Sequence, residues 1–232
     1  MAVSLERERL LWAAGSRVVA GVDEVGRGAL AGPVSVGLVA LAPCDVWPVG
    51  LADSKEIPAA TRERLAVELA HVGEARAVGS ASSREVDAFG IVGALRLAGY
   101  RALAEVGAAG VAVDAILLDG KHDWLTPPPE ALFGTEGAAE DLAEVCRAAL
   151  GSATVPPVTM VVGGDALCVS IAAASVLAKV ARDAVMVEAH TLHPEFEWAS
   201  NKGYGAEVHL DALRRLGPSP LHRVSWALPS RD

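Results

Sequence analysis

Three aspartates in this chain stand where an apolar run gives way to glycine: Asp23 after Arg17 to Val22, Asp119 after Asp114 to Leu118, and Asp165 after Pro157 to Val162. Each run reads as a buried strand. Side chains at the ends of neighbouring strands converge at a sheet's edge, and carboxylates gathered there repel one another unless cations stand between them. Hard oxygen ligands suit Mg²⁺ or Mn²⁺, and two such ions about 4 Å apart can hold the attacking water and the leaving oxygen of an in-line phosphoryl displacement. One aspartate after a strand is commonly only a turn former; three, beside a glycine-rich turn, point to a metal-dependent phosphodiesterase. Glu24 follows Asp23 directly. Neighbours in a regular strand face opposite ways, so either the strand has ended at Asp23 or Glu24 contributes differently. The Gly26-Arg27-Gly28 turn then offers exposed backbone and a guanidinium suited to phosphate.

The elements that must position these groups alternate between strand and helix. A short helix is expected in the first 15 residues, followed by strands at Arg17 to Val22 and Pro33 to Leu41. Next come a helix at Pro58 to Ala70, a strand at Ala75 to Ala81, and helices at Ser83 to Phe89 and Val92 to Val106. The strands before Asp119 and Asp165 make five. They bracket a stretch, about 121–157, that carries Pro127, Pro128 and Pro129 and an acidic helix-like run from Glu136 to Leu150, and that reads as an inserted excursion outside the core. A small-residue helix from Ser170, its expected cap, to Ala189 and another at Ala206 to Leu216 complete the chain. The pattern implies an α/β protein forming one domain over 1–232.

Composition bounds the rest. The chain has 232 residues, 52% of them hydrophobic and only 4% aromatic, so its core is built from small side chains that let elements approach closely. A net charge of −9 argues against a uniformly basic coat and leaves room for a local groove. Asn201 to the end carries Lys202, Arg214, Arg215, Arg223 and Arg231 against three acids, and Arg27, Lys55 and Lys179 could join them. Cys44, Cys146 and Cys168 form neither a disulfide framework nor a zinc motif, which suits a reducing cytoplasm. The uncharged run from Gly28 to Cys44 is broken by Gly32, Pro33, Gly37 and Pro43 and reads as buried sheet, so no membrane association is expected.

The run from Val22 to Val34 (VDEVGRGALAGPV) resembles the N-terminal signature of ribonuclease HII. Asp53-Ser54-Lys55, Leu118-Asp119-Gly120, Gly164-Asp165 with the stretch from Ser170 to Asp183, Lys202-Gly203-Tyr204-Gly205 and His222-Arg223-Val224-Ser225 resemble the later family blocks in order, from residue 18 to 226. The resemblance implies a ribonuclease H-like fold, with a central mixed five-stranded sheet flanked by helices and a helical substrate-binding segment at about 190–232. It implies an endonuclease that cuts the RNA strand of RNA/DNA hybrids and cuts 5′ of single ribonucleotides in duplex DNA, leaving 3′-hydroxyl and 5′-phosphate ends. By position, Asp23, Glu24, Asp119 and Asp165 would be the acidic site for two Mg²⁺ or Mn²⁺ ions. Gly26, Arg27 and Gly28 would sense the ribose 2′-OH, the only group distinguishing a ribonucleotide at a given base, and Tyr204 would work with them at the RNA-to-DNA junction.

Lys55 would grip a backbone phosphate. Lys179, Arg182 and Asp183 share a helix at spacings of three and four, and Lys179 and Asp183 are expected to support the site from behind. His222 and Arg223 fit phosphate binding and a packed tail equally well. The chain is expected to act as a monomer. Gly163, where the family commonly has lysine, Glu56 after Lys55, and the long 121–157 stretch depart from the family pattern.

Overall fold

A computed structural model describes residues 3–127 and 138–230. Five strands form one mixed sheet: β1 (Val19–Val25), β2 (Val34–Leu41), β3 (Ala75–Ala81), β4 (Ala115–Asp119) and β5 (Val158–Val161), in the order β3-β2-β1-β4-β5. β1, β2 and β3 run as an antiparallel meander, while β4 and β5 lie parallel to β1. The carboxyl ends of β1, β4 and β5 therefore fall along one edge, the place where an α/β sheet presents its site. All eight residues of β2 are buried, as expected of a strand covered on both faces.

Helix α3 (Ser83–Ala108) covers one face and α5 (Val169–Leu192) the other. The first starts on a capping box, with Ser82 accepting from the Glu85 amide, and breaks at Gly90, whose φ of 68° leaves the helical region. The two helices expected from Ser83 to Phe89 and from Val92 to Val106 are thus the halves of α3. Small residues set how closely α5 approaches. A Cβ built on Gly21 would lie 2.2 Å from the Ser170 carbonyl carbon, and one on Gly37 would lie 2.1 Å from the Ala174 oxygen. Ala172, Ala173 and Ala174 complete this contact, which explains why so few aromatic residues are needed.

Two expectations are corrected. Ser170 does not cap α5. Cys168 occupies that position, and the Ser170 hydroxyl and amide both donate to the buried Glu8 carboxylate, at 2.7 and 2.8 Å. Glu8 comes from α1 (Glu6–Ala13) and places its negative charge at the N-terminal, positive end of α5. The 121–157 stretch is not wholly outside the core. Trp124 and Leu125 are buried, and α4 (Ala138–Leu150) packs on α3, with Cys146 in the core and Leu142 against Gly93. Its acidic residues disguised an apolar stripe at helical spacing. The portion at 128–137, with Pro128, Pro129 and Glu136, lies outside the described residues. Helix α2 (Ala59–Leu69) covers the α5 side through Leu65 and Leu69, and the short α6 (Trp198–Asn201) and α7 (Glu207–Leu216) form the C-terminal region. Among the described residues no helix is long and apolar enough to cross a membrane.

Because Gly37 lies under the backbone of α5, Gly37→Ala should destabilise the protein by about 2 kcal/mol or more, by overpacking. Urea unfolding checks this; an unchanged midpoint would show that the helix does not press on the sheet there.

Candidate active site

β1 continues through Asp23 and Glu24, pairing them with Gly37 and Val36. Gly21 faces α5, so Asp23, two residues on, faces it too, while Glu24 faces the α3 side. Pairing between β1 and β4 ends at Val22 and Leu118, so the strands part just before Asp23 and Asp119. Glu24 thus lies on the opposite face beside an open strand end, which leaves both adjacent side chains at the same edge of the sheet. Asp165 comes from a one-turn 3₁₀ helix (Gly164–Ala166) that leaves β5 through Gly163, whose φ is 65°.

One oxygen of each carboxylate is already engaged. Asp23 Oδ1 accepts from the Glu24 amide at 2.8 Å, and Asp119 Oδ1 accepts from the Gly164 amide at 2.7 Å. Glu24 Oε1 pairs with the Arg27 guanidinium at 3.3 Å, and Asp165 Oδ2 with Lys55 Nζ at 3.2 Å. Among the described residues no three acidic, histidine or cysteine side chains already close on one point. The donor set is nonetheless all-carboxylate and gathered at one edge, which fits a hard divalent cation.

Burial, reinforced by the neighbouring acids, governs the protonation of this group. Burial pushes Asp23 up to about 7, reinforced by Asp119, Glu24 and Asp165, while the Ser175 hydroxyl works against it. Glu24 is raised by burial and by Asp119, with Arg27 opposing. Asp119 is raised by burial and then by Asp165. Burial works against the charged form of Lys55, but the Asp165 carboxylate beside it more than offsets that and holds the ammonium above its usual range. Lys55 is mostly exposed and is aimed by its own segment. Asp53 Oδ1 accepts from the Lys55 amide at 2.8 Å, and Ser54 hydrogen-bonds Ser175 of α5 at 2.8 Å.

The Gly26 to Gly32 loop follows directly. The Gly26 amide donates to the Tyr204 hydroxyl at 3.2 Å, so the glycine turn and the tyrosine meet although 178 residues separate them. Gly203 accepts from the Leu30 and Ala31 amides. Arg182 and Arg223, both fully buried, reach this loop from behind.

Comparison with known proteins gives the chain a family. The ribonuclease HII family model matches residues 20–228. The chain is 44% identical over 213 residues to the ribonuclease HII of Streptomyces coelicolor, covering 92% of this chain and 78% of that one. It is 43% identical over 219 residues to that of Cereibacter sphaeroides, covering 94% and 88%. The chain belongs to the ribonuclease HII family. It is accordingly a ribonuclease H endonuclease acting on RNA/DNA hybrids. The fold is shared with the RNase HII in a PCNA complex from Archaeoglobus fulgidus, at a TM-score of 0.64 and 21% identity over 93% of this chain and 98% of that one. It is shared also with Bst-RNase HIII solved in complex with Mn²⁺, at a TM-score of 0.57 and 20% identity over 92% and 68%.

Several sequence expectations change within the ribonuclease HII frame. His222 and Arg223 are buried and do not face solvent phosphate. Lys179 and Asp183 close on each other, with Lys179 Nζ 2.6 Å from Asp183 Oδ1, and Arg182 stands apart from that pair. The basic C-terminal groove is thinner than the charge count implied, because Arg214 pairs with Glu207, Arg215 with Asp211, and Arg223 is inside. Ser175 and His209 were not singled out in the sequence, and Arg182 and Arg223 were weighed there for other roles than gripping the Gly26 to Gly32 loop from behind. Arg182 carried a signal, being a lone arginine one turn from Met186 on the face of α5 that is otherwise buried.

A buried histidine chain holds the Tyr204 turn. The Ser219 amide donates to His222 Nδ1 at 2.9 Å, and His222 Nε2 lies 2.9 Å from His209 Nε2. His209 Nδ1 lies 2.8 Å from the Tyr204 carbonyl. The end partners fix the tautomers, so His222 donates through Nε2 and His209 through Nδ1, both neutral. Burial, with His209 beside it, holds His222 down to about 4.

Two predictions follow from these shifts. Asp23 binds its proton more tightly when folded, so the stability it contributes is present at low pH and lost as pH rises through about 7. Asp23→Asn should therefore be more stable than the parent in chelator at pH 8, by up to about 4 kcal/mol, with the gain gone at pH 4. Equal thermal midpoints at pH 8 would contradict this. His222 has the opposite sign. Its neutral form is favoured by folding, so its contribution is present above pH 6.5 and lost as pH falls towards about 4. His222→Gln should flatten that acid loss in urea titrations, and an unaltered pH slope would count against the buried neutral chain.

Proposed function

We propose that this chain removes ribonucleotides from DNA, cutting the phosphodiester on the 5′ side of a single ribonucleotide in a duplex as well as the RNA strand of longer hybrids. The observation that carries this is the contact between the Gly26 amide and the Tyr204 hydroxyl beside the carboxylate edge. That contact supports the reading because Gly26 and Tyr204, which would sense the 2′-OH and the junction, lie within one hydrogen bond of each other beside the acids. In this reading Asp23, Glu24, Asp119 and Asp165 would hold Mg²⁺ or Mn²⁺, two ions in all, which supply charge neutralisation and a lowered pKa for water. The relative crystallised with Mn²⁺ supports divalent metal use.

The chain's own residues do the remainder. Asp23, poised near neutrality, gives up its proton when a cation takes the site. Lys55 and Arg27, the internal counter-ions of Asp165 and Glu24, are released to bind phosphate once those carboxylates face a metal. Arg27 and Gly28 stand exposed where the ribose would lie, and the Tyr204 ring offers a face for the neighbouring sugar. Products carry 3′-hydroxyl and 5′-phosphate ends. Lys179 and Asp183 support α5 behind Asp23. We take the whole of 1–232 as one catalytic domain acting as a cytoplasmic monomer, with 190–232 supplying the substrate-binding side.

A duplex with one embedded ribonucleotide should be cut once, immediately 5′ of it, only with Mg²⁺ or Mn²⁺, and Asp23→Asn should lower the rate by at least about 10³-fold. An all-DNA duplex cut as fast would instead make the chain a general two-metal nuclease. Few exposed cations face the edge, so log K for duplex should fall against log salt with a slope of about −3, near −0.9 per phosphate. A slope approaching −10 would require a basic surface the fold does not offer.

A further inference from the structure

Arg223 belongs to the last family block, yet its side chain is fully buried and its hydrogen bonds all go to main-chain carbonyls. Nη2 donates to Gly26 O at 2.8 Å and to Gly32 O at 3.1 Å, Nη1 to Arg27 O at 3.0 Å, and Nε to Gly32 O at 3.3 Å. Arg182, from α5, repeats the arrangement: Nε to Pro33 O at 2.8 Å, Nη1 to Lys202 O at 2.9 Å and Nη2 to Ala31 O at 3.2 Å. Its guanidinium carbon also lies 5.4 Å from the centre of the Tyr204 ring. Burying a charge with no carboxylate partner is expensive, and a chain seeking stability alone would fill such a site with an apolar side chain. What the two guanidiniums achieve is to fix one loop. The Gly26 carbonyl is held by Arg223, the Gly26 amide by the Tyr204 hydroxyl, and a Cβ on Gly26 would lie 2.0 Å from Arg182 Nε.

We propose that Arg223, seconded by Arg182, is a specificity-determining positioning residue: its guanidinium spans the carbonyls of Gly26, Arg27 and Gly32 and locks the turn into the shape that reads the ribose. This rests on the proposed role of Gly26-Arg27-Gly28 in sensing the 2′-OH. The fork geometry is essential, because a lysine ammonium is a point donor that cannot bridge three carbonyls on two sides of a loop. The segment that delivers Arg223 is itself anchored from outside. The Val224 and Ser225 amides donate to Asp87 at 3.0 and 2.9 Å, the Arg223 amide to Leu30 O at 2.9 Å, and the Gly32 amide to Leu221 O at 2.8 Å.

The test compares affinity for a duplex with one ribonucleotide against the same duplex in all-DNA form, measured by fluorescence anisotropy in an Asp23→Asn background that leaves substrate intact. Arg223→Lys should narrow the preference for the ribonucleotide about tenfold while leaving all-DNA affinity as in the background protein. A lower thermal midpoint with the preference unchanged would show that Arg223 serves the fold only and would overturn the proposal. Arg27→Ala separates the two levels: if that change also leaves the preference intact, the recognition reading fails, whereas loss with Arg27→Ala but not with Arg223→Lys refutes the positioning role alone. Should Arg223→Lys not fold, Asp87→Ala loosens the same segment from the exposed side. It should narrow the preference about threefold, and an unchanged preference there would equally overturn the proposal.

Discussion

Four carboxylates crowded at the end of one sheet repel each other, and the surrounding structure answers that repulsion in the absence of a cation. Burial, reinforced by the neighbouring acids, pushes Asp23 up to about 7, Lys55 leans on Asp165, and Arg27 folds back on Glu24. Under the proposed function the Asp23 proton and the two side chains would act as counter-ions that a metal displaces, leaving the two cations for the phosphates of the substrate. The instability built into the edge is tolerable because the rest of the sheet is closely packed, with α5 seated directly on Gly21 and Gly37.

The loop beside the carboxylates is held differently from the carboxylates themselves. The carboxylates ride on strand ends and a short turn, rigid positions set by backbone pairing. The segment from Gly26 to Gly32 is a loop, and loops are ordered only by what grips them. Here the grip comes from three distant parts of the chain: Arg182 on α5, the Tyr204 turn, and the tail around Arg223. The neutral His209 and His222 pair fixes the tyrosine turn to that tail, so the two supports of the loop are themselves joined.

Much of this was legible in the sequence because strand ends announce themselves. Alternating apolar runs that stop at Asp-Gly or Gly-Asp located β4, the turn after β5 and their acids, and the resemblance over residues 18 to 226 supplied Glu24, whose direction in a regular strand had argued against it. The mixed character of the sheet came with that resemblance, while its strand order came only from the structure. What stayed hidden has a common cause. Arg182, Arg223 and Glu8 are long charged residues whose partners lie far away in sequence and are mostly backbone groups, which leave no mark in residue types. The same blindness cast α4 as an acidic excursion, since its charges outnumber the few apolar positions that meet α3.

The central claim is that the carboxylate edge is a cation site kept poised by the proton on Asp23. Calorimetric Mn²⁺ titrations of the protein at pH 6 and pH 8, each in two buffers of different ionisation enthalpy, test it directly. The account predicts saturable binding with release of close to one proton at pH 6 and almost none at pH 8, as Asp23 is emptied through about 7. Binding without proton release at either pH would contradict the poised Asp23, and no saturable binding at all would contradict the site.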